Sequence, residues 1–517
     1  VYAKVRPEEA NVANLDPKER RIKKLEAILG VAKAMSTERD LGVLLEEIVE
    51  HARSVVEATR GSIFLLDKDK NELWSKVAQG TREIRFPADK GIAGHVAQTK
   101  KPLNIPDAYA DPRFNPGVDK ATGFHTRNML TVPMLSTKED VVGVLQVLNK
   151  NPGDQTVEVE KGSPGPPFDA EDEEMLLALG GQAASAIENA ILYDEINKLF
   201  EGFIAASVVA IESRDPTTSG HSGRVATLTC GLAEVIDRVE TGPFASVVFD
   251  YDQMKEIRYA SLLHDFGKVG VRENVLVKAE KLYPGEVMTL KGRFDFIKRT
   301  LEKEALERKI AAYQFSNPNE TAALLAQIDK ELARQLEETE GILHFLLECN
   351  IPTVLEKGGF ERLSAIAAKT FNSFDGSKPY LTGTEIVSLS IPKGNLTNED
   401  RLEIESHVTH TYRFLATIPW TSKLRRIPEI AYGHHEKLDG KGYPRSIAAP
   451  EIPVQTRMMT ISDIYDALTA SDRPYKKAIP ASKALDILGC EAKEGKVDSS
   501  LLSLFIDAKV YERTLRS

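Results

Sequence analysis

Three cysteines in 517 residues, Cys230, Cys349 and Cys490, lie far apart and show no zinc-binding spacing. So few thiols fit a reducing compartment, and the cytoplasm is the expected location. No uninterrupted apolar run reaches the roughly 18 residues of a membrane-spanning helix, so no membrane insertion is expected. The first residues, VYAKVRPEEANVANLDPKERR, are polar and lack the apolar core of a signal peptide. Positive charge is not in surplus either: the net charge of -10 argues against nucleic acid or an anionic membrane as the main partner. What remains is a chain with 42% hydrophobic and 28% charged residues, long enough for two or three domains with real cores.

Hydrophobic spacing predicts helices over residues 17–36 and 40–58, the second with Leu41, Leu44, Leu45, Ile48 and Val55 on one face. Aliphatic runs at 61–67, 72–78, 128–135 and 141–149 read as strands of a sheet covered on one face. A Gly/Pro-rich loop at 151–167 follows, then a proline-free stretch from Asp169 to about Ser213 that reads as one long helix. Leu192, Ile196, Leu199 and Phe203 recur along it at three- and four-residue steps. That pattern predicts pairing with a second copy, a parallel homodimer.

The second half concentrates histidine. Of 10 histidines, five fall in a set with two aspartates: His221, His264-Asp265, His407, His434-His435 and Asp463. Imidazole nitrogens hold divalent ions, and one carboxylate, here Asp265, can bridge two of them. Two ions held in this way lower the pKa of a shared water and spread the charge of a phosphate under attack. The His-rich shell suits Fe or Mn better than Mg. His410, one turn after His407, is the candidate that competes with it.

The local contexts are SLLHDFGKVG at 261–270, HHEKLDGKGYP at 434–444 and ISDIYDALTASDRPY at 461–475. They resemble the HD-GYP family of bacterial cyclic di-GMP phosphodiesterases over roughly 205–285 and 393–510. The Gly442-Tyr443-Pro444 triplet separates that family from other HD hydrolases. The resemblance implies two divalent metal ions held by His221, His264, Asp265, His407, His434, His435 and Asp463. It implies Asp265 and Lys268 as catalytic residues, and substrate contacts from Lys268, Tyr443, Arg473 and Lys476. The implied reaction is hydrolysis of cyclic di-GMP to pGpG, with further cleavage to GMP left open. Cyclic GMP-AMP as substrate, or a non-catalytic nucleotide receptor, remain alternatives. The family's third-metal members carry a Glu four residues before the first histidine. Thr217 stands there in this chain, so two ions are expected; Asp215 is expected to orient a ligand or Lys268.

Residues 38–190 resemble a GAF domain, closest in kind to the cyclic-nucleotide-binding type. Asn149-Lys150, Phe168 and Asp172-Glu173 carry that family's signature, which implies a Lys–Asp ion pair pinning the pocket wall. Ser62, Ile92, Ala93, Asn115, Asp119, Thr122, Thr126 and Gln146 match pocket positions, with cAMP or cGMP as the implied ligand. Asn115 and Gln146 depart from an aromatic residue and a Glu found in relatives.

The expected architecture is therefore multidomain. An N-terminal helical segment (1–37) precedes an α+β domain of antiparallel sheet and flanking helices (38–190). A linker helix (169–213) leads to an all-α domain (205–517). A helical insertion at about 287–391 interrupts that domain between two metal-ligand motifs. It reads as a passive decoration or, more sharply, as a lid or dimer contact.

Overall fold

The computed structural model describes residues 38, 40–75, 84–151, 165–214, 219–315, 317–352, 359–470 and 478–514. The expected helix at 17–36 lies outside these residues, as do Asp215, Thr217, Arg473 and Lys476. The chain divides into two units, 1–201 and 202–517.

The first unit opens with α1 (Leu41–Val55). Asp40 caps it by accepting from the Gly42 and Val43 amides, which otherwise lack partners at a helix start. Its face of Leu44, Leu45, Ile48 and Ala52 is buried. The strands are β1 (Ala58–Asp67), β2 (Glu72–Ser75), β3 (Ile84–Pro87), β4 (Leu103–Ile105), β5 (Met129–Leu135) and β6 (Val141–Lys150). They form one six-stranded sheet in the order β3-β2-β1-β6-β5-β4, and every adjacent pair is antiparallel. Short helices α2 (Gly91–Thr99) and α3 (Pro116–Thr122) lie between strands in sequence. The next helix, α4 (Ala170–Arg214), is 45 residues long and begins in this unit. Its Met175, Leu176, Leu179, Ala183 and Ile187 share a core with α1, β1, β5 and β6.

One ion pair fixes the start of α4. Lys150, the last residue of β6, places Nζ 2.6 and 2.7 Å from the two carboxylate oxygens of Asp172. Asp172 is 1% exposed, and it also accepts from the Asp169 amide. Phe168 is buried beside it, with the ammonium 5.9 Å from its ring.

Contrary to the expectation from apolar runs, α4 contains an 18-residue window of mean hydropathy 1.3, enough by length and composition to cross a membrane. Of that window 44% is buried, and much of its hydropathy comes from small and aliphatic residues that fill the first unit's core.

The second unit is mostly helical. It contains α5 (His221–Ile236), α6 (Tyr251–Leu263), α7 (Glu273–Leu276), α8 (Pro284–Phe315), α9 (Pro318–Asn350), α10 (Gly359–Ala367), α11 (Gly383–Leu389), α12 (Asn398–Thr417), α13 (Ile427–Tyr432), α14 (Val454–Thr469), α15 (Ala481–Lys493) and α16 (Ser499–Asp507). Leu228, Leu232, Ile236, Met458, Ile461, Tyr465, Leu501 and Phe505 bring α5, α14 and α16 into one core. The inserted stretch builds a second core from Leu290, Phe294, Ile297, Leu346, Leu363, Leu381 and Leu389. It is not wholly helical, as the sequence suggested: β7 (Thr370–Ser373) and β8 (Gly376–Pro379) form an antiparallel hairpin. Each strand has four residues and at most partial burial, too little to leave a periodic signal.

Asp172→Ala removes one partner of a pair that is almost fully buried. The first unit is expected to lose about 3–5 kcal/mol of unfolding free energy, because Lys150 is left uncompensated. Denaturant unfolding followed by a probe in that unit measures this; an unchanged midpoint would refute the pinning role.

Candidate metal centre

Five segments converge. His221 is the first residue of α5, and His264 caps the C-terminal end of α6. Asp265 follows in the turn, so the His-Asp pair ends a helix rather than lying within one. His407 lies in the middle of α12, and Asp463 on α14. His434 and His435 occupy the turn just after α13.

The seven predicted residues are brought together, and Asp265 lies between two groups of imidazoles. Its Oδ2 is 3.7 Å from His221 Nε2 and 3.5 Å from His264 Nε2. Its Oδ1 is 3.2 Å from His407 Nε2 and 4.0 Å from His434 Nε2. Asp463 Oδ1 is 3.2 Å from His221 Nε2 and 3.9 Å from His264 Nε2, while its Oδ2 is 4.0 Å from His435 Nδ1. Two groups with metal-binding geometry result: His221, His264 and Asp265, and His407, His434 and His435. His410 is not part of either; its ring lies against Gly270.

The imidazoles are aimed by their other nitrogens. Nδ1 of His264, His407 and His434 each bonds the carbonyl three residues earlier, on Ser261, Ile404 and Ala431, at 2.7, 2.5 and 2.7 Å. A ring that donates Nδ1–H to a carbonyl leaves a lone pair on Nε2. Those three Nε2 atoms are buried without a hydrogen-bond partner. Buried polar nitrogens are costly unless something binds them, and divalent cations fit these donors.

Burial pushes the pKa of His264 down, that of His434 far down and that of His435 down to about 3, so all three are neutral imidazoles at neutral pH. His221 differs. Burial pulls its pKa down, but hydrogen bonds to Asp463 and Asp466 outweigh this and raise it to about 9. Burial favours protonation of Asp265 too, yet Lys268 and the neighbouring histidines hold its carboxyl well below the usual range. Lys268 Nζ lies 2.8 Å from Asp265 Oδ2.

Backbone contacts set this geometry. A Cβ on Gly267 would lie 1.9 Å from the His407 carbonyl oxygen, so the Asp265 turn can touch α12 only through glycine. Thr411 Oγ1 donates to the His264 carbonyl at 2.9 Å and accepts from the Gly267 amide at 2.8 Å. Thr460 Oγ1 on α14 donates to the His434 carbonyl at 2.9 Å. Tyr443 stands over His435, with ring centroids 4.8 Å apart.

Sequence reasoning missed two carboxylates. Asp466, one turn past Asp463, bonds His221 Nδ1 at 2.7 Å through Oδ2 and is gripped by Arg224 at 2.7 and 3.0 Å. The available signal was its i,i+3 spacing from Asp463. Buried Glu436 accepts from the Arg445 amide at 2.7 Å and the Ile447 amide at 3.2 Å, which ties down the loop carrying Tyr443. Its place beside His434-His435 made it visible, but nothing in the sequence told its direction.

In the first unit the pocket candidates split. Ser62 and Thr131 both face Gln146 in register, and Gln146 Nε2 donates to Thr131 Oγ1 at 3.0 Å. Asp119 is buried and already engaged: it accepts from the Thr126 amide at 2.6 Å, Thr126 Oγ1 at 2.8 Å and Tyr109 Oη at 3.1 Å. Asn115 caps α3 by accepting from the Gly117 amide. Ile92 and Ala93 are buried in two different apolar clusters. Thr122 ends α3, and its side chain lies outside the described residues.

The HD domain family matches residues 381–501, and the GAF domain family matches residues 40–187. The chain thus carries a GAF domain fused to a mostly helical HD-type phosphohydrolase domain with two candidate divalent-metal sites. A probable 3′,5′-cyclic phosphodiesterase (pde-5) of Caenorhabditis elegans is 31% identical over 188 residues, 34% of this chain. The chain spans only 24% of that relative's length. Among solved structures, the GAF domain of a phosphoenolpyruvate-protein phosphotransferase from Coxiella burnetii is 18% identical, with a TM-score of 0.29. It is matched over 98% of its length and 34% of this chain. Free methionine-R-sulfoxide reductase from Neisseria meningitidis is likewise 18% identical, with a TM-score of 0.27. It is matched over 93% of its length and 34% of this chain.

His221 alone among the four buried imidazoles is backed by a carboxylate. Asp466→Asn keeps the shape and removes the charge, and is expected to weaken one bound ion by roughly 10–100-fold while leaving the other in place. Competition titration with a chelating dye reads the two affinities separately. Equal weakening of both, or of neither, would refute the assignment.

Proposed function

We propose that this chain is a cyclic-dinucleotide phosphodiesterase of the HD-GYP type, hydrolysing cyclic di-GMP to pGpG under control of its GAF domain. The observation that carries this reading is Asp265, with one carboxylate oxygen toward each candidate metal group. The site would hold two ions, Fe or Mn, through His221, His264, Asp265 and Asp463 on one side and His407, His434, His435 and Asp265 on the other. When bound, such a pair supplies an activated water nucleophile and neutralises charge on a phosphodiester. Lys268, held beside Asp265, offers ammonium N–H donors to a non-bridging phosphate oxygen. Tyr443 provides a wall over His435 against which a base or phosphate rests. Arg473 and Lys476, proposed from the motif alone, would hold further phosphate oxygens. All seven candidate ligands are kept, which favours catalysis over a receptor without activity. Cyclic GMP-AMP is the second substrate to test, since no named residue separates it from cyclic di-GMP.

The GAF domain is the sensing module, and cAMP or cGMP is its proposed ligand. The Lys150–Asp172 pair and the Ser62, Gln146 and Thr131 group support a built pocket wall. A second copy is proposed to pair along α4. Leu192, Ile196, Leu199 and Phe203 are 54%, 65%, 77% and 42% exposed, an apolar stripe that water disfavours. A ligand shifts activity only through different affinities for two arrangements of the chain, and tenfold regulation needs about 1.4 kcal/mol.

Purified protein loaded with Mn or Fe and incubated with each cyclic dinucleotide is expected to yield pGpG, read by chromatography. Asp265→Ala is expected to lose most turnover and to bind fewer than two ions per chain. Full turnover in that variant, or no hydrolysis by protein holding two ions, would overturn the reading.

Calorimetry with cAMP and cGMP tests the sensor separately. Binding of one nucleotide, abolished by Asp172→Ala, is expected. Heat from neither at near-millimolar concentration would refute the sensor and leave the hydrolase reading standing.

A further inference from the structure

The second unit holds an open groove of about 780 Å³ that the proposed reaction does not use. Tyr412 on α12, Trp420, and Tyr432 at the end of α13 line it, together with Arg425, Glu429 and Arg445. Its volume falls in the range of small-molecule sites, roughly 300–1,000 Å³.

The aromatic lining is ordered. The Tyr412 and Tyr432 rings stack with centroids 4.3 Å apart and planes at 28°. The Arg445 guanidinium lies 4.9 Å from the Tyr432 centroid. Trp420 is fixed by its indole N–H, which donates to the Leu415 carbonyl at 2.8 Å. The charged lining is available. Among the described residues Arg425, Arg445 and Glu429 form no ion pair, and all three are exposed. Glu429 and Tyr432 are three residues apart on α13, so they face the same way.

We propose that this groove binds a guanosine 5′-phosphate group, carried by a mononucleotide or by a linear guanine dinucleotide. Flat π-faces beside arginine are what a nucleobase stacks on. Two guanidiniums suit a phosphate dianion, with fork-shaped donors that ammonium groups lack. Glu429, an acceptor only, repels phosphate but accepts from guanine, whose N1–H and N2–H donors lie side by side; adenine presents an unprotonated N1 on that edge. Two of its lining residues lie close in sequence to the metal centre. Tyr432 is two residues before His434, and Arg445 directly follows the Gly442-Tyr443-Pro444 loop that covers His435. A ligand held here therefore touches residues that flank, in sequence, the His434-His435 turn and the loop above it.

The chain has two tryptophans, Trp74 and Trp420, so a full-length Trp74→Phe protein reports from the groove alone. Titration with GMP is expected to give a saturable change in Trp420 fluorescence. Guanosine and AMP should each bind at least about tenfold more weakly, as should GMP to Arg425→Ala/Arg445→Ala. Glu429→Gln should narrow the GMP-to-AMP ratio. GMP and pGpG are titrated separately, and the tighter one names the source of the ligand. No saturable change with either, or an unchanged GMP response in the double arginine variant, would overturn the proposal. Equal binding of guanosine, or of AMP, would overturn it as well. The readout needs no turnover, so its failure is distinct from failure of the phosphodiesterase reading.

Discussion

The second unit is organised around one carboxylate. Asp265 is 4% exposed and close to four imidazoles, two on each oxygen. A buried anion in that position is costly unless positive charge compensates it, and Lys268 alone is a partial answer. Three of the surrounding Nε2 atoms have no partner, so cations between carboxylate and imidazole would satisfy both sets of groups at once. The helices α5, α6, α12, α13 and α14 are arranged so that this can happen. Much of their contact is backbone-level: the glycine contact at Gly267 and the threonine hydroxyls on the His264 and His434 carbonyls leave little freedom to slide.

The same small device aims three of the candidate ligands. His264, His407 and His434 each bond the carbonyl three residues back, at a helix end, inside a helix and just past a helix. Helical geometry supplies that acceptor wherever the backbone is helical up to the residue, so no extra side chain is needed. His221 begins its helix and has no preceding turn to use. A side chain must do the work instead, and Asp466 with Arg224 does it. The asymmetry between the four imidazoles thus follows from where each falls on its helix.

That logic also explains what could be read beforehand. The seven candidate ligands were legible because histidine is scarce and comes in pairs beside Asp, Gly and Tyr in distinctive strings. Asp466 and Glu436 were not, because carboxylates are common and only direction distinguishes a second-rank partner from a surface charge. In the sheet, β1, β5 and β6 announced themselves as aliphatic runs, whereas β3 and β4, of four and three residues, are defined by pairing rather than by composition. The inserted stretch showed its helices through periodic leucines and hid its hairpin. Asp119 and Thr126 were singled out as pocket groups by residue type, and the bond between them was not legible: Thr126 donates to Asp119 through both its amide and its hydroxyl. Residue type alone does not tell which neighbour a buried carboxylate accepts from.

The long helix α4 sets two demands against each other. Its early residues are apolar because the first unit's core takes them, and this is enough to bring its hydropathy to a membrane-like value. Beyond that core the exposed stripe of Leu192, Ile196, Leu199 and Phe203 is interleaved with Asp194, Glu195, Lys198 and Glu201. Lipid would have to accept those charges at a cost of about 2.5–3.5 kcal/mol each on insertion scales. A second helix would cover the stripe and leave the charges in water, with Lys198 already paired to Asp194 at 2.7 Å. The charge pattern therefore favours another protein helix over a bilayer as the stripe's cover. The spacing of four, three and four residues is that of a helix seam.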